Sequence, residues 1–188
     1  MDWGTLVATV SGGSIAITGT VLADYLRHRR EDDQGAEARR RAVYTEFISA
    51  AGACHARLRQ IAQAPGAEAD LEAATRAALT DAALYDVRER LFIDASTAVA
   101  GAGQAMFERL RALQRTVATG AAPSSPAFHD VYHHYIGAVW HYRVAVRNEL
   151  ENRPLSPAVF GWEGWDGTDR CPMCRTAPTA GTRPTGTD

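Results

Sequence analysis

Residues 125–152, SPAFHDVYHHYIGAVWHYRVAVRNELEN, contain the clearest helix signal of the chain. Ser125 is a good N-cap, and Pro126 suits the first helical position, where its missing N–H costs nothing. Pro154 prevents the helix from continuing far beyond Asn152. The spacing of large apolar side chains predicts one face that packs in a helical core; this face carries Phe128, Tyr132, Tyr135, Val139, Tyr142, Val146 and Leu150.

The same helix carries four histidines, which a helical wheel divides into two sets. His129 and His133 lie one turn apart on a face next to the apolar one, beside Trp140. His134 and His141 lie about 100° further round, so a single straight helix cannot bring all four to one ion. His129 and His133 can both bind one metal ion, but a zinc site needs three or four ligands. The alternative is that the histidines only pack or bond at the edge of a bundle.

Downstream, Cys171-Pro172-Met173-Cys174 resembles the knuckle of a zinc ribbon. Two cysteines at this spacing can present both thiolates to one tetrahedral metal, and we expect Arg170 and Arg175 to lower their pKa. The sequence has no second pair of this kind. A complete site therefore requires the histidines or the same tail from a second chain, and the candidate zinc ligands are Cys171, Cys174, His129 and His133.

Two other interpretations of the cysteine pair remain open. A redox pair is one, although the thioredoxin-like motif belongs at a helix start in an α/β fold. A tail without a defined role is the other. The third cysteine, Cys54, lies on an apolar helical stripe, where we expect a buried small hydrophobe rather than a ligand.

Apolar periodicity upstream predicts three more helices. The first begins near Gln34 and stops at Pro65, and the second runs from Leu71 to about residue 94. The third is capped by Ser96 and ended by Gly120, with small residues at its start that predict close helix contact. Their predicted core positions are Val43, Phe47, Ala50, Cys54, Leu58, Ile61; Leu71, Ala78, Ala82, Tyr85, Leu91; and Met106, Phe107, Leu110, Leu113, Val117.

Residues 3–23 form a run of 21 residues without a charge. A hydrocarbon core of about 30 Å needs a helix of about 20 residues, so the run predicts a transmembrane helix. Arg27, Arg29 and Arg30 follow as a basic junction, which predicts the N-terminus outside and the C-terminal domain in the cytoplasm. The alternatives are a cleaved signal peptide and a soluble β-hairpin turning at residues 10–15.

Small residues recur along this predicted span. Such a stripe allows a second helix to approach closely in lipid, so a homodimer is the simplest partner. The competing interpretation is that the stripe only reflects composition. The predicted packing positions are Ala8, Gly12, Ala16, Gly19 and Thr20.

The expected fold class is all-α, with an N-terminal transmembrane helix, an antiparallel bundle of about four helices and a largely irregular C-terminal tail. The boundaries are 1–26 for the membrane helix, 27–35 for an Arg-rich polar junction, 36–152 for the cytoplasmic bundle and 153–188 for the tail. The tail tryptophans are expected to pack on the bundle, the membrane or a partner. Disorder is expected from residue 176 onward.

Composition restricts the function. All 20 basic residues are arginine, so lysine-based chemistry such as Schiff-base formation or a phosphate-loop lysine is excluded. The net charge of −2 gives no general attraction to nucleic acid, which we do not expect as a partner. No motif places a nucleophile beside a base, so no enzyme activity is expected and no catalytic residue is assigned.

The order of a small-residue span, an Arg-rich junction and an Ala-rich helical domain resembles uncharacterised single-pass membrane proteins of actinobacteria, mainly streptomycetes, some of them called KilB-like. The resemblance is architectural, covers about residues 1–150 and brings no site residue with it. The resemblance leaves the function open. The span and its basic flank predict a cell-membrane location, with membrane lipid, a second copy and an unidentified protein as the expected partners.

The sequence therefore predicts a membrane-anchored helical interaction or scaffold protein. One alternative is a zinc-binding module formed by the cysteine tail. Another is a plasmid-transfer accessory protein at the membrane, for which Arg39, Arg40 and Arg41 would contact DNA in a salt-sensitive way.

Overall fold

A computed structural model describes the backbone of residues 3–175 and the side chains of residues 27–30 and 34–175. The chain divides into two compact units, Met1–Ala42 and Val43–Asp188. Every regular element of the described backbone is helical, which confirms the expected all-α class. The helices are α1 (Trp3–Gln63), α2 (Leu71–Asp81), α3 (Leu84–Asp94), α4 (Thr97–Ala118), α5 (Pro126–Glu151) and α6 (Pro172–Arg175), with 3-10 turns at Pro65–Ala67, Pro157–Phe160 and Thr168–Arg170.

Helix α1 is continuous over 61 residues, so the separate helix start expected near Gln34 is wrong. Its backbone is also helical at residues 10–15, where the alternative hairpin would turn. The side chains of the predicted span, including its small-residue stripe, lie outside the described residues. Among residues with described side chains, no helix is long and apolar enough to cross a membrane. The described arginines of the junction, Arg27, Arg29 and Arg30, are exposed.

The predicted caps of the later helices are confirmed. Ser96 Oγ accepts a hydrogen bond from the Val99 N–H at 3.4 Å, and Ser125 Oγ accepts one from the Phe128 N–H at 3.3 Å. Each bond satisfies one of the N–H groups that a helix start leaves unpaired. Gly120 follows α4 with φ +83°, the left-handed conformation that ends helices and favours glycine.

The second predicted helix is two helices in the structure. It breaks between α2 and α3, where Ala83 adopts a left-handed conformation with φ +50°. The break rotates the following face, so Leu84 is buried while Tyr85, a predicted core residue, is 39% exposed. No glycine, proline or asparagine marks this position, which is why the periodicity alone missed it.

The core is formed where α1, α3, α4 and α5 meet around Gly103, the point of close contact expected in the third helix. The Phe47 and Tyr142 rings meet edge to face at 5.4 Å. Tyr142 Oη donates a hydrogen bond to the Tyr44 carbonyl at 3.1 Å, and Tyr135 Oη donates to the Ala51 carbonyl at 3.3 Å. Most predicted stripe positions are buried, including Phe47, Cys54, Leu58, Ile61, Ala78, Leu91, Met106, Leu110, Leu113, Val117 and Phe128.

Candidate metal centre

The tail after α5 folds back along the histidine face of that helix. The Trp165 ring stacks on Trp140 with centroids 4.7 Å apart, and Trp162 meets Trp140 edge-on at 5.0 Å. The sequence analysis expected the tail tryptophans to pack on the bundle, the membrane or a partner. In the described residues they pack on the bundle. Asp166 lies against Gly137, one turn before Trp140, where a Cβ added to the glycine would be in ordinary van der Waals contact with Asp166 Cβ at 3.6 Å and Cα at 3.7 Å. These contacts bring the cysteine pair to the first turns of α5.

The structure brings together the four ligands proposed from the sequence. One ligand atom from each of His129, His133, Cys171 and Cys174 lies within 4.8 Å of all the others. Cys171 Sγ is 3.5 Å from His129 Nδ1. Tetrahedral zinc, with its usual Zn–S and Zn–N bonds, separates a bound sulfur from a bound nitrogen by about 3.6 Å. This pair of atoms therefore already has the spacing that a shared zinc ion requires.

His133 is oriented as a metal ligand rather than as a core residue. Its Nδ1 bonds to the Asp166 carbonyl at 2.8 Å, and because a carbonyl only accepts, Nδ1 carries the proton. The other nitrogen, Nε2, is buried and has no hydrogen-bond partner. A histidine that donates one N–H to a backbone carbonyl and leaves its second nitrogen unprotonated has the usual arrangement of a zinc-bound imidazole.

The two thiols differ in acidity. Burial raises the pKa of Cys171, but hydrogen bonds from the Cys174 backbone, the Cys174 side chain and the Met173 backbone outweigh it and bring that pKa to about 6. Burial and the neighbouring Cys171 sulfur raise the pKa of Cys174. The pair therefore holds one thiolate at neutral pH. Because metals bind thiolates, one of the two sulfur ligands is already in its metal-binding form before an ion binds.

The flanking arginines do not supply this acidity, contrary to the expectation from the sequence. Arg170 turns away from the sulfurs and donates to the carbonyls of Phe160 at 3.4 Å and Gly161 at 3.1 Å. Its guanidinium carbon also lies 5.7 Å from the centre of the Trp162 ring. Arg170 thus stabilises the conformation of the tail, whereas backbone N–H groups of the cysteine turn lower the pKa of Cys171.

The remaining histidines of α5 stay out of the cluster, as the helical wheel indicated. His134 and His141 are exposed and, with Arg109, line an open pocket of about 460 Å³ whose other wall is Trp165 and Asp166.

Cys54 is fully buried in the core, and burial raises its pKa to about 12. Its thiol therefore stays protonated and acts as the small hydrophobe expected from its stripe.

The arrangement provides two sulfur and two nitrogen ligands from one chain, so it does not need the tail of a second copy. Sequence reasoning missed the Asp166 carbonyl that orients His133, because a backbone contact made by folding leaves no residue-type signal. The glycine at position 137 is the nearest hint of that approach. No family model matches the chain, and comparisons with curated proteins and with solved structures give no match.

Proposed function

We propose that this chain is a zinc-binding helical module in which one zinc ion fixes the C-terminal tail onto α5. The observation that carries the proposal is the convergence of His129, His133, Cys171 and Cys174 within 4.8 Å. A tetrahedral set of two thiolates and two imidazoles is characteristic of zinc among the divalent metals. Its knuckle-like cysteine pair and carbonyl-oriented histidine fit that choice.

The chemistry of the set supports a structural rather than a catalytic role. Catalytic zinc keeps one position open for water or substrate, whereas four protein ligands fill a tetrahedral ion. His129 and Cys171 are 42 residues apart in sequence, so a shared ion closes a long loop. The full ligand set is assembled only in the folded chain, so zinc binding stabilises the folded state. The fixed tail presents the exposed side chains of Val159 and Met173, which suit contact with another protein.

Metal analysis of the purified chain tests this proposal. Full-length protein, equilibrated with zinc and desalted, is expected to retain about one zinc ion per chain. The Cys171→Ser/Cys174→Ser double variant is expected to retain none. Cys54→Ala is the matched control, since it removes a thiol outside the cluster and should leave the zinc content unchanged.

Two results would overturn the zinc assignment. One is a wild-type chain without zinc after equilibration and desalting. The other is equal zinc content in the wild type and the double-serine variant, which would place the ion elsewhere. Circular dichroism of each variant shows whether the bundle remains helical, so that metal loss is not confused with unfolding.

We also propose that residues 3–23 anchor the module in the cell membrane, with the bundle in the cytoplasm. The support is the uncharged run of 21 residues, the arginines that follow it and the uninterrupted helical backbone of α1. Anchoring would make the protein an interaction or scaffold module at the membrane, with zinc keeping its tail in one conformation.

Fractionation tests the anchor separately from the zinc site. Expressed in an actinobacterial host, the full chain should pellet with membranes, resist carbonate and dissolve in detergent. Its tail should be protected from protease in intact protoplasts. Recovery in the soluble fraction would refute the anchor and leave the zinc proposal standing.

A further inference from the structure

Three arginines converge on a groove between α2 and α4, whose lining includes none of the proposed zinc ligands. Arg76 of α2 and Arg111 and Arg115 of α4 line a cavity of about 500 Å³, together with Tyr85 of α3. This volume is in the range of small-molecule sites. We call this feature, defined by Arg76, Arg111, Arg115 and Tyr85, the arginine groove.

The groove has an excess of positive charge. Its one lining carboxylate, Glu72, pairs with Arg76 at 2.5 Å. Within the described residues, no carboxylate forms an ion pair with Arg111 or Arg115. These two guanidinium groups lie one turn apart on α4, where like charges repel each other. The chain as a whole has a net charge of −2, so the local excess does not follow from composition.

Arg111 is also held in place with donors left over. Its Nη1 donates to the Tyr85 hydroxyl, while its Nε is buried without a hydrogen-bond partner. The floor beneath is fixed by Gln114, whose buried Nε2 donates to Thr75 Oγ1 at 3.1 Å. The guanidinium groups thus surround a preformed cavity.

We propose that the arginine groove binds a phosphate group carried by a small phosphorylated molecule. Two uncompensated guanidinium groups match the charge of a phosphate monoester, which is about −1.5 to −2 at neutral pH. A guanidinium binds phosphate oxygens through two parallel N–H bonds, so Arg111 and Arg115 together can engage three oxygens. An adjoining pocket of about 360 Å³, whose lining adds Arg88, Phe107 and the carboxylate-bearing Glu108, leaves room for the rest of the molecule.

Isothermal titration of the zinc-loaded full chain with inorganic phosphate tests the site. Saturable binding at one site per chain is expected. Arg115→Gln should weaken it at least tenfold, and Arg111→Gln/Arg115→Gln should abolish it. Because Arg115 is exposed, its single variant is not expected to unfold the bundle. Arg115→Lys keeps the charge but loses the paired donors, so an intermediate loss is expected.

The matched control is Arg57→Gln/Arg90→Gln, which removes the same charge from exposed ion pairs with Glu68 and Glu46. It should bind phosphate as the wild type does. Absence of saturable binding to the wild type overturns the proposal. Equal weakening in the control also overturns it, because the attraction would then be only general electrostatics.

A second arm identifies the source of the phosphate. Sedimentation compares phosphatidylcholine vesicles with and without phosphatidic acid. An Arg115-dependent gain with phosphatidic acid supports the site with a lipid headgroup as its ligand. Phosphate binding without such a gain supports the site with a soluble phosphorylated ligand.

Discussion

At the scale of single residues, the two adjacent histidines of α5 have different surroundings. His133 is nearly buried at 9% exposure and faces the cysteines, whereas His134 is exposed and lines the pocket beside Arg109. One residue of helix rotates the side chain by about 100°, and that rotation separates a candidate metal ligand from a surface group. The pair therefore offers a matched test of the ligand set.

His133→Gln is expected to lower zinc affinity by more than about 100-fold, because it removes both a ligand and the N–H donor to the Asp166 carbonyl. His134→Gln should leave the affinity unchanged. Competition with a chelator of known affinity measures both variants. Equal effects of the two substitutions would contradict the assignment of His133 as a ligand.

The unequal acidity of the two thiols predicts how zinc binding depends on pH. Above pH 6 the Cys171 sulfur is already a thiolate, so zinc has to displace a proton only from Cys174. Titration with zinc in weak buffer near pH 8 should therefore release about one thiol proton per ion. Below about pH 6, protons compete for Cys171 and affinity should fall with each further drop in pH. Release of about two thiol protons near pH 8 would show that the apo site holds no thiolate.

At the scale of elements, the contact between α4 and its neighbours depends on one missing side chain. A Cβ placed on Gly103 would lie 2.4 Å from Leu91 Cδ2 and 3.3 Å from Phe47 Cε1. Gly101, two residues earlier on the same helix, has no neighbour within 4 Å of that position. Comparing substitutions at the two glycines therefore separates the effect of glycine on packing from its effect on the helix backbone.

Gly103→Ala is expected to destabilise the bundle by about 1–3 kcal/mol, the usual penalty of overpacking. Gly101→Ala should stabilise it by up to about 1 kcal/mol, because alanine favours helix more than glycine does. Urea unfolding of both variants gives the two free energies. A neutral Gly103→Ala would mean that Leu91 moves aside without cost.

Much of the element order could be predicted from the sequence, for reasons visible at particular residues. Ser96 and Ser125 act as caps through a local hydrogen bond, and local chemistry is what a sequence displays. The break at Ala83 is different, because alanine adopts a left-handed conformation only when surrounding contacts over-determine it. Those contacts come from packing between helices and have no local signature.

The candidate site also combines features that a local sequence pattern predicts with features that only packing determines. Helical spacing placed His129 and His133 on one face and excluded His134 and His141 from it. Grouping the histidines with Cys171 and Cys174 required the tail to fold back on α5, and the sequence left a second chain as an equal option. The stack of Trp165 on Trp140 places the tail of the same chain on α5, so the histidines complete the ligand set without a second chain. The two tryptophans are 25 residues apart in sequence.

At the scale of the whole molecule, His55 links stability to pH. Its ring packs between Tyr132 and Tyr135, with centroids 5.8 Å and 4.9 Å away, and its Nε2 is buried without a partner. Burial, with a smaller effect of the Arg59 charge, lowers the pKa of His55 from 6.5 to about 4. Between these values the unfolded chain binds a proton at His55 that the folded chain does not. Stability should therefore fall as the pH falls from about 6.5 to about 4.

His55→Phe keeps an aromatic ring between the two tyrosines and removes the titrating group. Its free energy of unfolding should decline less than that of the wild type across this range. The slopes of unfolding free energy against pH should differ between the two proteins by less than about 1.4 kcal/mol per pH unit, because the His55 ring is partly exposed. Urea unfolding at several pH values measures it, with His134→Gln as the control that should follow the wild type. Parallel curves for His55→Phe and the wild type would contradict this role of His55.

The stacked indoles of Trp140 and Trp165 have a consequence for how this molecule can be observed. Their planes differ by 14°, and Trp162 stands nearly perpendicular to Trp140 at 90°. Transition dipoles held this close in a fixed chiral arrangement couple, so the docked tail should produce an exciton signal in circular dichroism at the strong far-ultraviolet band of indole. Release of the tail separates the indoles and should abolish the signal. The protein therefore carries its own label-free reporter of whether the tail is docked on α5.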